Sequence, residues 1–326
     1  MEARAIINEI MQRHGARCSV EEFHNAINVT FHEFESEVYD TEHTCMWESL
    51  PKQFNLLVND WLQQTADAPK SIRMLDLGCG TGLATDSILK TAIGDKITSI
   101  SLLDTSKSML QQAKRRSQRW PAPVTTHEGL INSVDQQGCY DLIVTCSVLH
   151  HVPDLSAFLS DVRRLQAKNG VFLHLQDPNK DFLDDPELVH RMGDYSKHVL
   201  PEWASRLAPR RVIGRISRML TGKQGQDYIS RTNRRLLDKG VIESALTVDE
   251  LFRVTDIHAA EGEGIAISRL RGWMPDYELI STRSYAFWGE LWSDLPPHMK
   301  KIEDDLISKR ATNGRYVGAI WKLHSA

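Results

Sequence analysis

The sequence predicts an α/β fold built on strand–helix–strand units, and three stretches carry that prediction. The first is Ile72 to Asp86, IRMLDLGCGTGLATD, where an apolar run holding Asp76 leads into Gly78, Gly80 and Gly82 at alternate positions. It reads as strand, tight turn and helix (Leu83 to Ala92). Glycine accepts positive φ and lets a ligand press against the backbone, and a helix N-terminus offers free N–H groups to electron-rich ligands. The second is Ile97 to Asp104, ITSISLLD, a strand closed by an acid about one crossover downstream. A carboxylate placed there can reach the ribose hydroxyls of a nucleotide. The third is Tyr140 to Cys146, YDLIVTC, another apolar strand. The glycines follow G-x-G-x-G, with Leu at 83, so the dinucleotide pattern G-x-G-x-x-G fails at its third position.

The remaining elements follow in order. Residues 1–70 read as helical. Ile6, Ile7, Ile10 and Met11 form one stripe, Ser19 and Glu22 fit a capping box, and Phe23, Ile27, Phe31, Phe34 and Val38 recur at helical spacing as core packing. Val38 to Leu50 connects this to a helix predicted from Pro51 to Gln64, and Thr65 to Lys70 leads into the first strand. After the second strand come a helix over Ser106 to Arg119, a third strand at Val124 to Glu128 and, past the fourth strand, a helix N-capped by Asp154. Lys168-Asn169-Gly170 reads as its stop, before a fifth strand at Val171 to Gln176. Residues 181–245 break the alternation as a helical insertion. A second capping box, Thr247 with Glu250, opens a helix to about His258, followed by a helix around Gly264 to Arg271. A sixth strand (Tyr277 to Phe287), a polar connection over 288–315 and a last strand (Tyr316 to Leu323) complete the chain. The domain reading is 1–70, 71–180, 181–245 and 246–326.

Composition narrows the function. The chain has 326 residues and a net charge of −4, which gives no global case for nucleic acid or membrane. Five scattered cysteines form no C-x-x-C pair, so neither a disulfide framework nor a zinc site is indicated and the expected compartment is the reducing cytoplasm. No apolar run is long enough to span a bilayer. Between Trp203 and Gly240 ten Lys or Arg face two Asp, a local charge of +8. The simpler reading is a solvated basic face. The sharper one is a lid that recruits an anionic substrate through Arg211, Arg215 and Arg218, with docking on an anionic membrane ranked below both.

DLGCGTG, then LLDTSKSML, then YDLIVTCSVLHHV resemble the class I S-adenosylmethionine-dependent methyltransferases, well over residues 70–180 and loosely in the last strands. The resemblance implies a Rossmann-like, seven-stranded sheet with an antiparallel last strand, an N-terminal helical lid and a helical insertion after strand five. It implies S-adenosylmethionine as cofactor and methyl transfer to a small-molecule acceptor, oxygen being favoured. RNA or a carrier-bound substrate, or a non-catalytic partner subunit, are the rivals. Carried over residue by residue, Asp76 would hold the methionine amino group, and Gly78, Cys79 and Gly80 would present backbone. Asp104 would bond the ribose, Thr105 and Met109 would lie by the adenine, and Cys146 would offer backbone near the methionine part. Where relatives read E-G-D after the third strand, this chain has Glu128-Gly129-Leu130, so Leu130 and Ile131 are left to meet the adenine without an acid. Tyr39 either closes over the sulfonium or anchors the lid by packing, and His43 either lines the pocket or caps a turn. His150 and His151 sit where a base belongs, although one of them is often structural. No metal spacing appears, and the absence of an Asn/Asp-Pro-Pro-aromatic box after the fourth strand argues against DNA. Tryptophans in the C-terminal third leave a homodimer open.

Overall fold

The computed structural model describes residues 2–42, 44–65, 69–199, 225–258 and 264–324. Seven strands form one sheet: β1 (Ile72–Leu77), β2 (Ile97–Asp104), β3 (Val124–Glu128), β4 (Tyr140–Cys146), β5 (Gln166–Pro178), β6 (Tyr277–Tyr285) and β7 (Tyr316–Leu323). Their order is β3-β2-β1-β4-β5-β7-β6. The first five run parallel, and β7 lies antiparallel between β5 and β6. This is the sheet the resemblance implies. Helices cover both faces, so the central strands are apolar on both sides. One face packs against the Thr44–Gln64, Leu83–Ile88 and Pro297–Ser308 helices through Phe54, Leu57, Ile88 and Met299. The other packs against Leu155–Leu165 and Ile267–Trp273 through Leu159, Val162 and Leu270. The connections leaving β1 and β4 go to opposite sides of the sheet, which opens a crevice at their carboxyl ends.

The N-terminal helices do not share that core. Glu2–Arg13 and Val20–Glu35 bury Ile7, Ile10, Phe23, Ile27, Phe31 and Phe34 against Leu236, Leu251 and Val254 of the Gly225–Asp238 and Val248–Thr255 helices. Both capping boxes form, Ser19 with Glu22 and Thr247 with Glu250. Arg13 Nη1 donates to Glu250 at 2.5 Å, pinning the first helix to the last of this group.

Three local expectations need correction. The helix expected from Pro51 starts at Thr44 and carries Pro51 inside it. Its apolar stripe, Met46, Leu50, Phe54, Leu57, Val58 and Trp61, is buried on both sides of the proline. Burial at about 1.5–3 kcal/mol per large side chain outweighs a proline cost of about 3 kcal/mol. The stretch 288–315 is not a plain polar connection, because Pro297–Ser308 is a helix opened by a proline. Only Met299, Glu303 and Ile307 of it are buried, too sparse a stripe to stand out among its charges. Glu303 closes the end of β6 by accepting the Ala286 and Phe287 N–H groups at 2.7 and 3.0 Å. Finally, β5 begins at Gln166 and runs through Lys168-Asn169-Gly170 as an irregularity in the β4 pairing, with Asn169 at φ 61°. Arg211, Arg215, Arg218 and His43 lie outside the described residues. Among the described residues no helix is long and apolar enough to cross a membrane.

Candidate active site

The crevice has two halves. The first is the glycine loop after β1 and the end of β2. Gly78 and Gly80 both take positive φ, 65° and 51°. A Cβ on Gly78 would strike Val148 Cγ2 at 2.7 Å, whereas one on Gly80 would meet nothing within 4 Å, so Gly80 faces open space. Asp104 fixes the loop: its carboxylate accepts the Gly80 N–H and the Ser106 N–H, each at 2.8 Å. Asp76 is buried, with one carboxylate oxygen accepting the Thr85 hydroxyl at 2.6 Å and the other, Oδ1, left without a hydrogen-bond partner. Burial, reinforced by the Asp104 charge, pushes the Asp76 carboxyl up to about 7. Burial also raises the Cys79 and Cys146 thiols well above their ordinary range, so neither is a ready thiolate. Met109 is buried under the loop that follows β2, and Thr105 is half-buried beside Asp104. Leu130 is 50% exposed after β3, an apolar side chain standing where a carboxylate was expected, and Ile131 follows it half-buried.

A clasp that the sequence did not reveal closes this half. Asp40, next to Tyr39, accepts the Thr81 hydroxyl at 2.9 Å and Arg116 Nη2 at 2.6 Å. Arg116 Nη1 also donates to Thr81 at 3.1 Å, and its guanidinium lies 4.6 Å from the centre of the Trp47 ring. Thus residues from the lid, the glycine loop and the helix after β2 are tied together. Burial raises the Tyr39 hydroxyl well above the usual range, and the nearby Glu35, Cys146, Asp40 and Asp104 add to this. The adjacent Tyr-Asp pair was the available signal, but Arg116 offered none.

The second half lies at the end of β4. His150 is buried, and its Nδ1 lies 3.0 Å from Asp177 Oδ1 at the end of β5. Burial raises the Asp177 carboxyl, but the hydrogen bonds and charges of His150 and His174 outweigh that and hold it below its ordinary value. The ionised carboxylate can only accept, so Nδ1 of His150 is the donor in this contact. His151 turns its Nδ1 to the Thr255 carbonyl at 2.6 Å. Burial, with His150 and His32 adding positive charge nearby, depresses the His151 ring well below its usual range. The two rings lie 4.0 Å apart, and His32 of the N-terminal helix meets His151 edge-on at 5.2 Å. Asp256 completes the group, 3.3 Å from His151 Nδ1 and 3.9 Å from His150 Nε2. The structure therefore brings His150, His151 and Tyr39 to one end of the sheet with the candidate cofactor residues.

Residues 75–172, the stretch holding Asp76, the glycine loop, Asp104 and both histidines, match a family model described as a methyltransferase domain. This stretch is a methyltransferase domain. Over 155 residues this methyltransferase is 29% identical to the highly reducing polyketide synthase otaA of Aspergillus carbonarius, an alignment covering 43% of this chain and 6% of that protein. Over 102 residues it is 28% identical to a ubiquinone biosynthesis O-methyltransferase of Rhodopseudomonas palustris, covering 31% of this chain and 38% of the relative. The chain thus aligns with only a fraction of the length of the curated relatives it matches. Among solved structures it is similar to the trans-methyltransferase CalH in complex with SAH, at 15% identity and a TM-score of 0.43 over 84% of this chain and 55% of that one. The crevice suits the methyltransferase cofactor on its own terms: Asp76 Oδ1 is a buried acceptor without a donor, Gly80 borders open space, and Leu130 offers an exposed apolar face.

Proposed function

We propose that the enzyme methylates a small enolisable acceptor, an acyl chain of the polyketide kind, with His150 as the base. The observation that supports this reading is the His150–Asp177 contact of 3.0 Å at the end of β4, which orients the ring through Nδ1 and leaves Nε2 as the candidate proton acceptor. The identity to polyketide synthases supports the acceptor class.

In this reading Asp76 holds the methionine ammonium group through Oδ1, and Gly78, Cys79 and Gly80 line the cofactor with backbone. Asp104 bonds the ribose with the lone pairs the loop amides leave free. Thr105, Met109, Leu130 and Ile131 flank the adenine, and Cys146 offers backbone near the methionine end. When bound, S-adenosylmethionine supplies an electrophilic methyl group on a sulfonium and departs as a neutral thioether. His150 Nε2 takes the acidic proton of the acceptor, and the electron pair released forms the new bond to the methyl carbon. Asp177 stabilises the imidazolium so formed, and His151 shapes the pocket from behind. Tyr39 would offer its ring to the sulfonium, since an aromatic face attracts a cation, and the Asp40–Arg116 clasp beside it would hold the lid in place. The described helices within 1–70 and 181–245 cover the acceptor, and the strands of 71–180 and 246–326 supply the sheet. Holding acceptor and methyl in line contributes several kcal/mol to the rate.

The test is single-turnover methylation of a β-ketoacyl thioester by the wild type and by His150→Gln. We expect the rate to fall at least about a hundredfold in the variant with cofactor affinity unchanged. A rate within threefold of wild type would remove His150 from the chemistry. The identity to an O-methyltransferase favours a second reading, a phenolic oxygen acceptor. A catechol in the same assay separates the two by its product, a methyl ether rather than a C-methylated chain.

A further inference from the structure

We infer that the histidine-rich end of β4 is a binding site for one divalent transition-metal ion of the zinc class, held by His150, His151 and Asp256 with His32 as neighbouring donor. His150, His151 and Asp256 each offer a ligand atom, and these atoms all lie within 4.8 Å of one another. A tetrahedral zinc ion with bonds of about 2.1 Å keeps its ligands roughly 3.4 Å apart, so small side-chain rotations close the site.

The surroundings of the rings are what single this cluster out. Histidines that bind metal commonly donate their other ring N–H to a carboxylate or a backbone carbonyl, which fixes the tautomer and aims the free lone pair. Each of the three rings here is held in that manner. His150 Nδ1 is fixed by Asp177 at 3.0 Å, His151 Nδ1 by the Thr255 carbonyl at 2.6 Å and His32 Nδ1 by Glu35 at 2.7 Å. Nε2 is then the remaining nitrogen of each ring, and that of His150 lies 3.9 Å from Asp256 Oδ1. The donors come from three separate places in the chain: the Val20–Glu35 helix, the turn after β4 and the turn after the Val248–Thr255 helix. Two neutral imidazoles and one carboxylate suit a borderline-soft dication better than magnesium or calcium, which take oxygen ligands. No C-x-x-C or H-E-x-x-H spacing announces the site, because the fold alone assembles it.

The inference also bears on the regulation of the proposed chemistry and there rests on that reading: Nε2 of His150 cannot hold a proton and a metal ion together, so the ion would inhibit. The experiment is titration of chelator-treated full-length protein with zinc against a chromophoric competitor, repeated with cobalt to read the tetrahedral visible band. We expect one ion per chain, with affinity falling at least about tenfold in Asp256→Asn and in His151→Gln. His324→Gln, at the far end of β7, should bind as wild type does. Calorimetric binding of S-adenosylmethionine shows which variants are folded. Absence of one-to-one binding, or equal affinity in a folded Asp256→Asn or His151→Gln, overturns the site. Zinc binding that leaves methyl transfer at full rate would instead overturn His150 as base and leave the metal site standing.

Discussion

The two halves of the crevice are built in opposite ways. The proposed cofactor half is local: Asp76, the glycine loop and Asp104 lie within one strand–helix–strand unit, and Asp104 meets Gly80 across only 24 positions. The proposed acceptor half is assembled from afar, with His32, His150, Asp177 and Asp256 gathered from a helix, two strand ends and a distant turn. The first kind of site is held by backbone hydrogen bonds that any similar loop would make. The second depends on side chains finding one another through tertiary packing, and so it can change while the sheet stays the same. That division matches the proposed chemistry, in which one half holds the cofactor and the other fits the acceptor.

The largest effect that would break this division is at His150. His150→Gln should lower the methylation rate at least about a hundredfold while leaving cofactor affinity as it is. If affinity fell as well, the halves would not be independent. Next is Asp104→Ala, which removes the anchor of the glycine loop and the proposed ribose contact. Cofactor binding should weaken at least tenfold, about 1.4 kcal/mol, by calorimetric titration.

The pH dependence of Asp76 sharpens the same half. Its carboxyl is raised to about 7 by burial, with the Asp104 charge adding. A raised carboxyl pKa means its contribution to stability is present below the ordinary carboxylate range and is lost as pH rises through about 7. A bound ammonium group favours the ionised form, so affinity for S-adenosylmethionine should fall about tenfold from pH 8 to pH 6. Asp76→Asn should flatten that profile, and a slope unchanged in the variant would assign the proton to another group. The smallest expected effect is at the clasp. Asp40→Ala frees the Thr81 hydroxyl and leaves Arg116 without its carboxylate. Cofactor affinity should drop by about threefold to tenfold, in line with about 1 kcal/mol for a partly exposed charged hydrogen bond, and the thermal midpoint should fall. An unchanged affinity would mean the lid is tied down elsewhere.

The same contrast explains what could be read in the sequence. The bounds of β1, β2, β4 and β7 were legible because each is a short, mostly apolar run closed by an acid, a glycine or a turn, and those of β3 because a β-branched run, Val124 to Thr126, ends just before Glu128-Gly129. Asp154 and both capping boxes announced their helices because capping is a contact over three residues. Pro51 misled because proline's local cost is visible in sequence whereas the burial of Phe54 and Trp61 that offsets it is not. The Pro297–Ser308 helix hid behind its charges, its role resting on one carboxylate turned inward, Glu303. At the candidate site, the placing of Asp76, Gly80 and Asp104 at the ends of β1 and β2 was legible from spacing. Asp177 was visible only as the end of a strand, and Asp256 and His32 gave no signal because nothing in their neighbourhoods points to β4.

The most direct test is calorimetric titration of the wild type, Asp104→Ala and His150→Gln with S-adenosylmethionine and S-adenosylhomocysteine, with NAD as control. The division predicts micromolar one-site binding of the first two ligands to the wild type, the same binding to His150→Gln, weaker binding to Asp104→Ala and none of NAD to any of them. Binding that is lost in His150→Gln, or that is indifferent to Asp104→Ala, would contradict it.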